Sequence, residues 1–344
     1  MEITGLNMLR EIKEQPQTTR DTIESSLRQA EPVRELIEEK LDKNRGTIFL
    51  IGSGTSHYAS IAGKYALLAS AGIPSVAYSA SDFRDFETKK KGDIVIAVSQ
   101  SGETGDVLTA VETASKNGCK VVSVTNEARS TLAKIADATI VTKAGREVAI
   151  PMTKTYTALL AALFSIAETL GRKKQANSPL MKISKAVEET IKTSQEKVRK
   201  MADETKEQKA LFLLGRGPSY ATALEACLKL KEAALVHAEA FSSPEFRHGP
   251  RALVEPRTSV IAFTNSHPFD ETTVRLLEDL KVTGASMISI GDRGGSTITT
   301  PSLPNHLTPI IDIVPLQLLA AYVAVAKGIN PDVPRSLVKT TTAI

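Results

Sequence analysis

The chain has 344 residues, 42% of them apolar and 24% charged, with a formal net charge of +4. That length accommodates two domains, and the balance is that of a soluble globular protein. No basic run is interleaved with aromatics and tryptophan is absent, so nucleic-acid binding is not suggested; the longest apolar stretches, such as 315–326, are too short to span a bilayer.

Residues 8–43 read as helical and charged, with QPQTTRD as a break and Thr19 or Asp21 as the cap of the helix that follows. TIFLIGSGTS then reads as a buried strand entering a Gly-Ser turn. HYASIAGKYALLASAG is a helix ending at Gly72, PSVAYSASDF a second strand, DIVIAVSQSGE a third, and TGDVLTAVETASKNG a helix. KVVSVTN, STLAKIA and ATIVTKAG complete the series. Strands alternating with helices predict an α/β fold, a parallel sheet covered by helices on both faces.

The pattern repeats. Residues 48–83 line up with 211–246 at a constant offset of 163, so that Gly52 matches Gly215 and Phe83 matches Phe246. VIAVSQS (95–101) matches VIAFTNS (260–266) at an offset of 165. Two copies of one domain are expected. The layout is a helical segment over 1–44, a first domain over 45–172, a linker and charged connecting helix over 173–207, a second domain over 208–328, and a tail over 329–344. Cys119 and Cys227, the two cysteines, sit in apolar or helical contexts. They predict buried free thiols rather than a disulfide or metal pair. The N-terminus lacks a secretory apolar region, and a cytoplasmic location is expected.

The stretch AVSQSGETGD (97–106) empties a strand into hydroxyls and glycine. Open parallel sheets bind ligands beyond the carboxyl ends of their strands, and helix N-termini there favour anions. Ser99, Gln100, Ser101 and Thr104 add donors, and Gly102 permits close approach. The turn has no lysine, unlike a nucleotide P-loop, so it suits a single phosphate monoester. Thr55 and Ser56, in the turn GSGTS, are placed to join the same pocket. Such residues also serve simply as helix caps; two such turns at adjacent strand ends favour phosphate. In the second copy the turn has become FTNSHPFDET, with His267 in place of the glycine, which reads as a phosphate site that has decayed. Elsewhere, LEACLKLKEAALVHAEAFSSPEFRHGP (224–250) carries Glu225, Lys229 and Glu232 on one helical face. The matching first-copy residues are Ala62, Ala66 and Ala69. A face small enough to pack closely predicts charges held in an interior or interface cleft rather than in solvent.

LKLKEAALVHAEAFSSPEFRHGP, VSQSGET, GSGTS, MLREIKEQP and PRSLVKTTT, more specific in combination than any one alone and spread over nearly the whole chain, resemble the isomerase half of the glutamine–fructose-6-phosphate aminotransferase family. The resemblance implies two tandem flavodoxin-like sugar isomerase (SIS) domains. It implies that Ser56, Ser99, Gln100, Ser101 and Thr104 hold the sugar phosphate, and it places Ile150 with Thr55 in the same pocket. It implies Glu232 as the base between C1 and C2, Lys229 as its neighbour, and His248 as the ring-opening acid/base supplied by a partner subunit of a homodimer. Lys339, in a tail that closes the site, is implied to form an imine with the ketose. No cofactor and no metal is expected. The chemistry agrees: a carboxylate suits an enediol proton shuttle, a histidine ring opening, and a lysine imine formation.

The sequence starts MEITGL with no early cysteine, so a glutaminase of its own is not expected. Pro151 and Met152 stand where the synthases carry a small residue and a serine. That substitution bears on the wall around the sugar amino or hydroxyl group. The missing glutaminase, with the retained set Lys229, Glu232, His248 and Lys339, favours a glucosamine-6-phosphate deaminase/isomerase. The alternatives are an isomerase subunit receiving ammonia from a separate glutaminase, a fructosamine-6-phosphate deglycase, and a non-catalytic sugar-phosphate sensor. Apolar Phe246 and Pro250 beside Glu245, Arg247 and His248 read as an interface loop with an apolar anchor.

Overall fold

In the computed structural model, which describes residues 6–41, 46–171 and 178–339, the chain divides into two compact units. One comprises residues 17–147 and 154–182 with the tail from 338; the other comprises 148–153 and 183–337 with the first 16 residues. The expected boundaries at 44/45 and 172/173 lie outside the described residues.

The chain opens with α1 (Asn7–Leu41). The first sheet and its helices follow: β1 (Ile48–Gly52), α2 (Thr55–Ala66), β2 (Ser75–Ser79), α3 (Ala80–Phe86), β3 (Ile94–Val98), α4 (Gly105–Lys116), β4 (Lys120–Thr125), α5 (Thr131–Ile135), β5 (Ala138–Val141) and α6 (Lys154–Leu170). The strand order is β2-β1-β3-β4-β5, all pairs parallel. Every residue of IFLIG and IVIAV is buried. Helices cover both faces of a parallel sheet, so these strands read as unbroken apolar runs without a period of two. After α2 one π-turn, Leu67–Ala71, leads to Gly72, whose φ of 67° ends the helix.

The second sheet follows α7 (Leu180–Thr205). It is built from β6 (Ala210–Gly215), α8 (Pro218–Ala234), β7 (Ala238–Ser242), α9 (Ser243–Phe246), β8 (Thr258–Phe263), α10 (Glu271–Leu280), β9 (Ser286–Gly291) and β10 (Ile298–Thr299), followed by α11 (Pro309–Asp312) and α12 (Val314–Ala326). Its order is β10-β9-β8-β6-β7, again parallel. Both sheets have the flavodoxin-like order. Their registers also agree: Ile48 pairs with Ser75 and Ile94, and Leu211 (48 + 163) pairs with Ala238 (75 + 163) and Ser259 (94 + 165).

Three local expectations are corrected. QPQTTRD does not break the first helix, which continues through Pro16. A proline there deprives the Ile12 carbonyl of its amide donor; the Gln15 side chain supplies one instead, Nε2 to the Ile12 oxygen at 3.1 Å, while also donating to Gln317 Oε1 at 2.8 Å. Thr19 is therefore a buried mid-helix residue. The N-terminal cap is Asp332, whose carboxylate accepts the amides of Asn7 and Met8, each at 2.8 Å. Second, the strand begun at Ser75 stops at Ser79, whose hydroxyl accepts the Asp82 amide and starts α3. Third, 309–326 reaches the length and apolarity of a membrane span, with a mean hydropathy of 1.8, but is 89% buried within the fold, as a core helix is.

Candidate functional site

After β1 the chain builds β2 on one side, then returns to build β3 on the other. The crevice beyond β1 and β3 is thus the switch point at which such sheets bind ligands. The turn 52–56 and the turn 99–104 sit at these two strand ends. Gly52 is required there: a Cβ would lie 2.6 Å from the Ser56 carbonyl carbon. Thr55 and Ser56 open α2 and are buried, as is Ser99; Gln100, Ser101 and Thr104 are half-buried.

The second turn is held from inside and from below. Ser99 Oγ accepts the Gly102 amide at 3.0 Å and lies 3.1 Å from Thr104 Oγ1, while Ser101 Oγ accepts the Glu103 amide at 3.2 Å. The Gln100 carbonyl accepts from the Asn126 amide and Thr125 Oγ1, and the Gly102 carbonyl from the Leu132 amide. Gly102 adopts φ +65°, and a Cβ on it would lie 2.2 Å from Ser130 Oγ. Glu103, the acidic residue of the turn, is drawn to the start of α5, where its carboxylate accepts the Thr131 amide at 2.7 Å. Those Thr131 hydrogen bonds hold its carboxyl below the usual range.

Side-chain capping separates the helices of this unit. Ser79 caps α3 and Ser130 caps α5, whereas α2 and α4 have no side-chain cap among the described residues. In α2 the Ser56 amide donates back to the Ser53 carbonyl at 3.1 Å; the first turn of each helix carries the positive end of its dipole. Both α2 and α4 open on the switch-point crevice. Its hydroxyls, amides and glycine suit one phosphate group.

In the same unit Lys339 Nζ lies 2.8 Å from Glu147 Oε2. Glu147 is buried, and it also accepts from Thr155 Oγ1 at 2.6 Å and the Thr155 amide at 3.3 Å. The sequence reading missed Glu147. Its partners stand 8 and 192 residues away, and no periodicity links them.

The unit of the second sheet carries the charged helix. Glu225 and Lys229 are buried, and Lys229 Nζ lies 3.4 Å from Glu225 Oε1 and 2.5 Å from Glu232 Oε2, whose side chain is 20% exposed. The face is therefore interior, and it presents one carboxylate partly to solvent. Ile150 belongs to this unit, its amide donating to the Asp332 carbonyl at 2.9 Å. The neighbouring amides of Val148 and Ala149 donate to the Glu11 carboxylate. Glu11 and Asp332 thus fix the backbone that precedes Pro151 and Met152; the sequence reading missed both.

His248 is exposed on the loop after α9. Phe246 is not the expected interface anchor. It is fully buried in its own unit, its ring 5.5 Å from that of Phe212 and 5.3 Å from that of Phe241. The short helix α9 turns Phe246 inward, so the apolar positions of the loop do not form one patch. At the second copy's switch point Asp270, buried at the start of α10, aligns with Gly105 (105 + 165). Burial pushes its carboxyl up to about 7, against the pull of Arg293 and Arg216. A carboxylic side chain thus stands where the first copy has none. Cys119 and Cys227 are free and buried, and burial raises their thiols to about 11 and about 12.

Comparison with known proteins places these features in a family. The SIS domain model matches residues 40–168 and 205–327. Glutamine–fructose-6-phosphate aminotransferase of Pyrococcus horikoshii is 37% identical over 97% of this chain, and that of Thermococcus kodakarensis 38%. The chain spans 57% and 58% of the length of these relatives. Among solved structures, the C-terminal domain of the aminotransferase from Francisella tularensis superposes with a TM-score of 0.84 at 26% identity, covering 97% of this chain and all of that one. Glucosamine-6-phosphate deaminase from Thermotoga maritima does so with a TM-score of 0.79 at 27% identity, covering 97% and 99%. With two matched domains, two parallel sheets of one order and a hydroxyl-lined switch point, the chain belongs to the SIS domain family.

Proposed function

We propose that the chain is an aldose–ketose isomerase of amino-sugar phosphates that converts glucosamine 6-phosphate to fructose 6-phosphate and ammonia. The observation that carries this reading is the pair of uncapped helix starts at the β1/β3 crevice, lined by Thr55, Ser56, Ser99, Gln100, Ser101 and Thr104. They bind the phosphate. Glu232 removes the proton from C2 of the open-chain sugar and returns it to C1, with Lys229 holding the carboxylate in place. The resulting ketose imine takes up water and loses ammonia, and Lys339 exchanges with that ammonia through its own imine. His248 passes the proton in ring opening, and it does so from the partner subunit of a homodimer.

The relatives named as aminotransferases support a second reading, synthesis of glucosamine 6-phosphate from fructose 6-phosphate, with ammonia from a separate glutaminase. One assay separates the two: the purified chain with glucosamine 6-phosphate alone, and with fructose 6-phosphate plus ammonia or glutamine. Ammonia release in the first tube is expected. Ser101→Ala should raise KM, and Glu232→Gln should lower kcat with binding largely kept. Phosphosugar binding with no turnover in either direction would refute both of these readings and leave a fructosamine-6-phosphate deglycase or a sensor. Mixing inactive Glu232→Gln and His248→Ala proteins tests the shared site. With free subunit exchange, roughly a quarter of wild-type activity should return, because about half of the dimers are mixed and each has one intact site.

A further inference from the structure

Residues 335–338 are exposed one after another, and the chain then turns back in at Lys339, whose side chain is 27% exposed. The group that receives it is not a surface carboxylate. Glu147 is buried completely at its side chain, and a buried carboxylate must be hydrogen-bonded and paired to be tolerated. Thr155, at the start of α6, supplies a hydroxyl and an amide to it, and Lys339 supplies the cation. The carboxylate is thus fixed on a helix by Thr155, and the amine is carried by a segment that is otherwise in solvent.

We infer that Glu147 is the positioning residue for the Lys339 amine: it docks the tail and takes the proton that the amine must lose before it can act as a nucleophile. This rests on the imine chemistry proposed above. An ammonium has no lone pair. When the Lys339 ammonium passes its proton to the Glu147 carboxylate, the freed nitrogen pair attacks C2 of the ketose and the C=O π pair moves onto oxygen. Two proton transfers then release that oxygen as water, leaving a C2–nitrogen imine. Hydrolysis reverses the sequence and returns the proton to the amine, and the ion pair re-forms.

Two measurements on the full chain test this. Glu147→Gln keeps the volume and an acceptor for Thr155 but removes the charge; Glu147→Asp restores the charge on a shorter arm. The first measurement is tryptic cleavage after Lys339, with cleavage after exposed Arg335 as internal control. The second is borohydride trapping of fructose 6-phosphate on Lys339, read by mass spectrometry. In Glu147→Gln, cleavage after Lys339 should accelerate roughly tenfold against the control as the docked state loses population. Trapping should fall roughly 10- to 100-fold, the cost of a misplaced reacting group, and Glu147→Asp should recover part of both. Wild-type cleavage and trapping rates in Glu147→Gln would overturn the inference. Faster cleavage with unchanged trapping would also overturn it, leaving Glu147 a tether without a part in the chemistry. A wild-type chain that protects Lys339 from trypsin and traps no sugar would instead refute the imine reading on which the inference stands.

Discussion

Gly102→Ala is the most informative single change in the turn after β3. The residue holds φ +65°, a conformation that costs a residue with a Cβ about 1–2 kcal/mol. The added methyl would also lie 2.2 Å from Ser130 Oγ, 2.5 Å from Ser130 Cβ and 3.1 Å from Thr125 Oγ1. Ser130 cannot yield freely, because its hydroxyl caps α5 by accepting the Ala133 amide. Losing that cap costs roughly 1–2 kcal/mol more. The sum, about 2–4 kcal/mol, should lower the melting temperature by about 6–12 °C for a unit of this size. The turn should lose phosphosugar affinity as well, since the Gly102 amide is the donor that holds Ser99 Oγ. Denaturant unfolding and phosphosugar titration read both effects. The double variant Gly102→Ala, Ser130→Gly isolates the clash: glycine is nearly as good a cap as serine, so about half of the lost stability should return while the backbone cost remains. If Gly102→Ala melts within about 0.5 kcal/mol of the wild type, or if Ser130→Gly rescues nothing, the reasoning fails.

The remaining predictions concern the other unit. Lys229→Met leaves two carboxylates facing each other and should destabilise by about 3–5 kcal/mol in urea unfolding, whereas Glu225→Gln with Lys229→Met should recover most of it. Asp332→Ala uncaps α1 and should cost about 1–2 kcal/mol by the same measurement. Burial pushes the Asp312 carboxyl up to about 7, although Asn265, Thr308 and Thr300 donate to it. The fold therefore holds a proton that the unfolded chain releases between about pH 4 and 7, and stability should fall as pH rises through that window, by up to about 1.4 kcal/mol per unit. Asp270, also pushed up to about 7, adds to the same slope, so Asp312→Asn should lower the slope without abolishing it, and an unchanged slope in pH-dependent unfolding would contradict the assignment.

The parallel sheets were legible because their strands are unbroken apolar runs, each followed by a turn of small residues. The turn after β3 was legible for the same reason: strand end, hydroxyls and glycine are contiguous. The buried Glu225–Lys229–Glu232 face could be inferred only by setting it against Ala62, Ala66 and Ala69 of the other copy. What escaped is contact at long range. Glu147 meets Lys339, Asp332 caps Asn7, and Glu11 binds the backbone at 148–149, and none of these pairs shares a local signature. Pro16 misled because the remedy for its missing amide lies in the side chain before it, and a propensity rule sees only the proline.

Two sheets that share an order and a register could exchange parts while the chain folds. IFLIG and LFLLG differ by conservative apolar changes, and either could seat first between the neighbours of the other, the kind of misassembly to which repeated domains are prone. The strands themselves do little to prevent it; the helices that follow them do. At Gly63 a Cβ would come within 2.9 Å of Leu50 Cδ2 and 3.1 Å of Leu163 Cδ1, so both leucine ends would have to give way to it. The corresponding residue of α8 is Ala226 (63 + 163), flanked by Glu225 and Lys229 where α2 has Ala62 and Ala66. Seated in the place of α2, α8 would force a methyl group and two long charged side chains into space that fits alanine and glycine, a crowding of several kcal/mol. The charged face thus also works as a key, permitting each strand–helix pair to close in its own sheet and obstructing closure in the other.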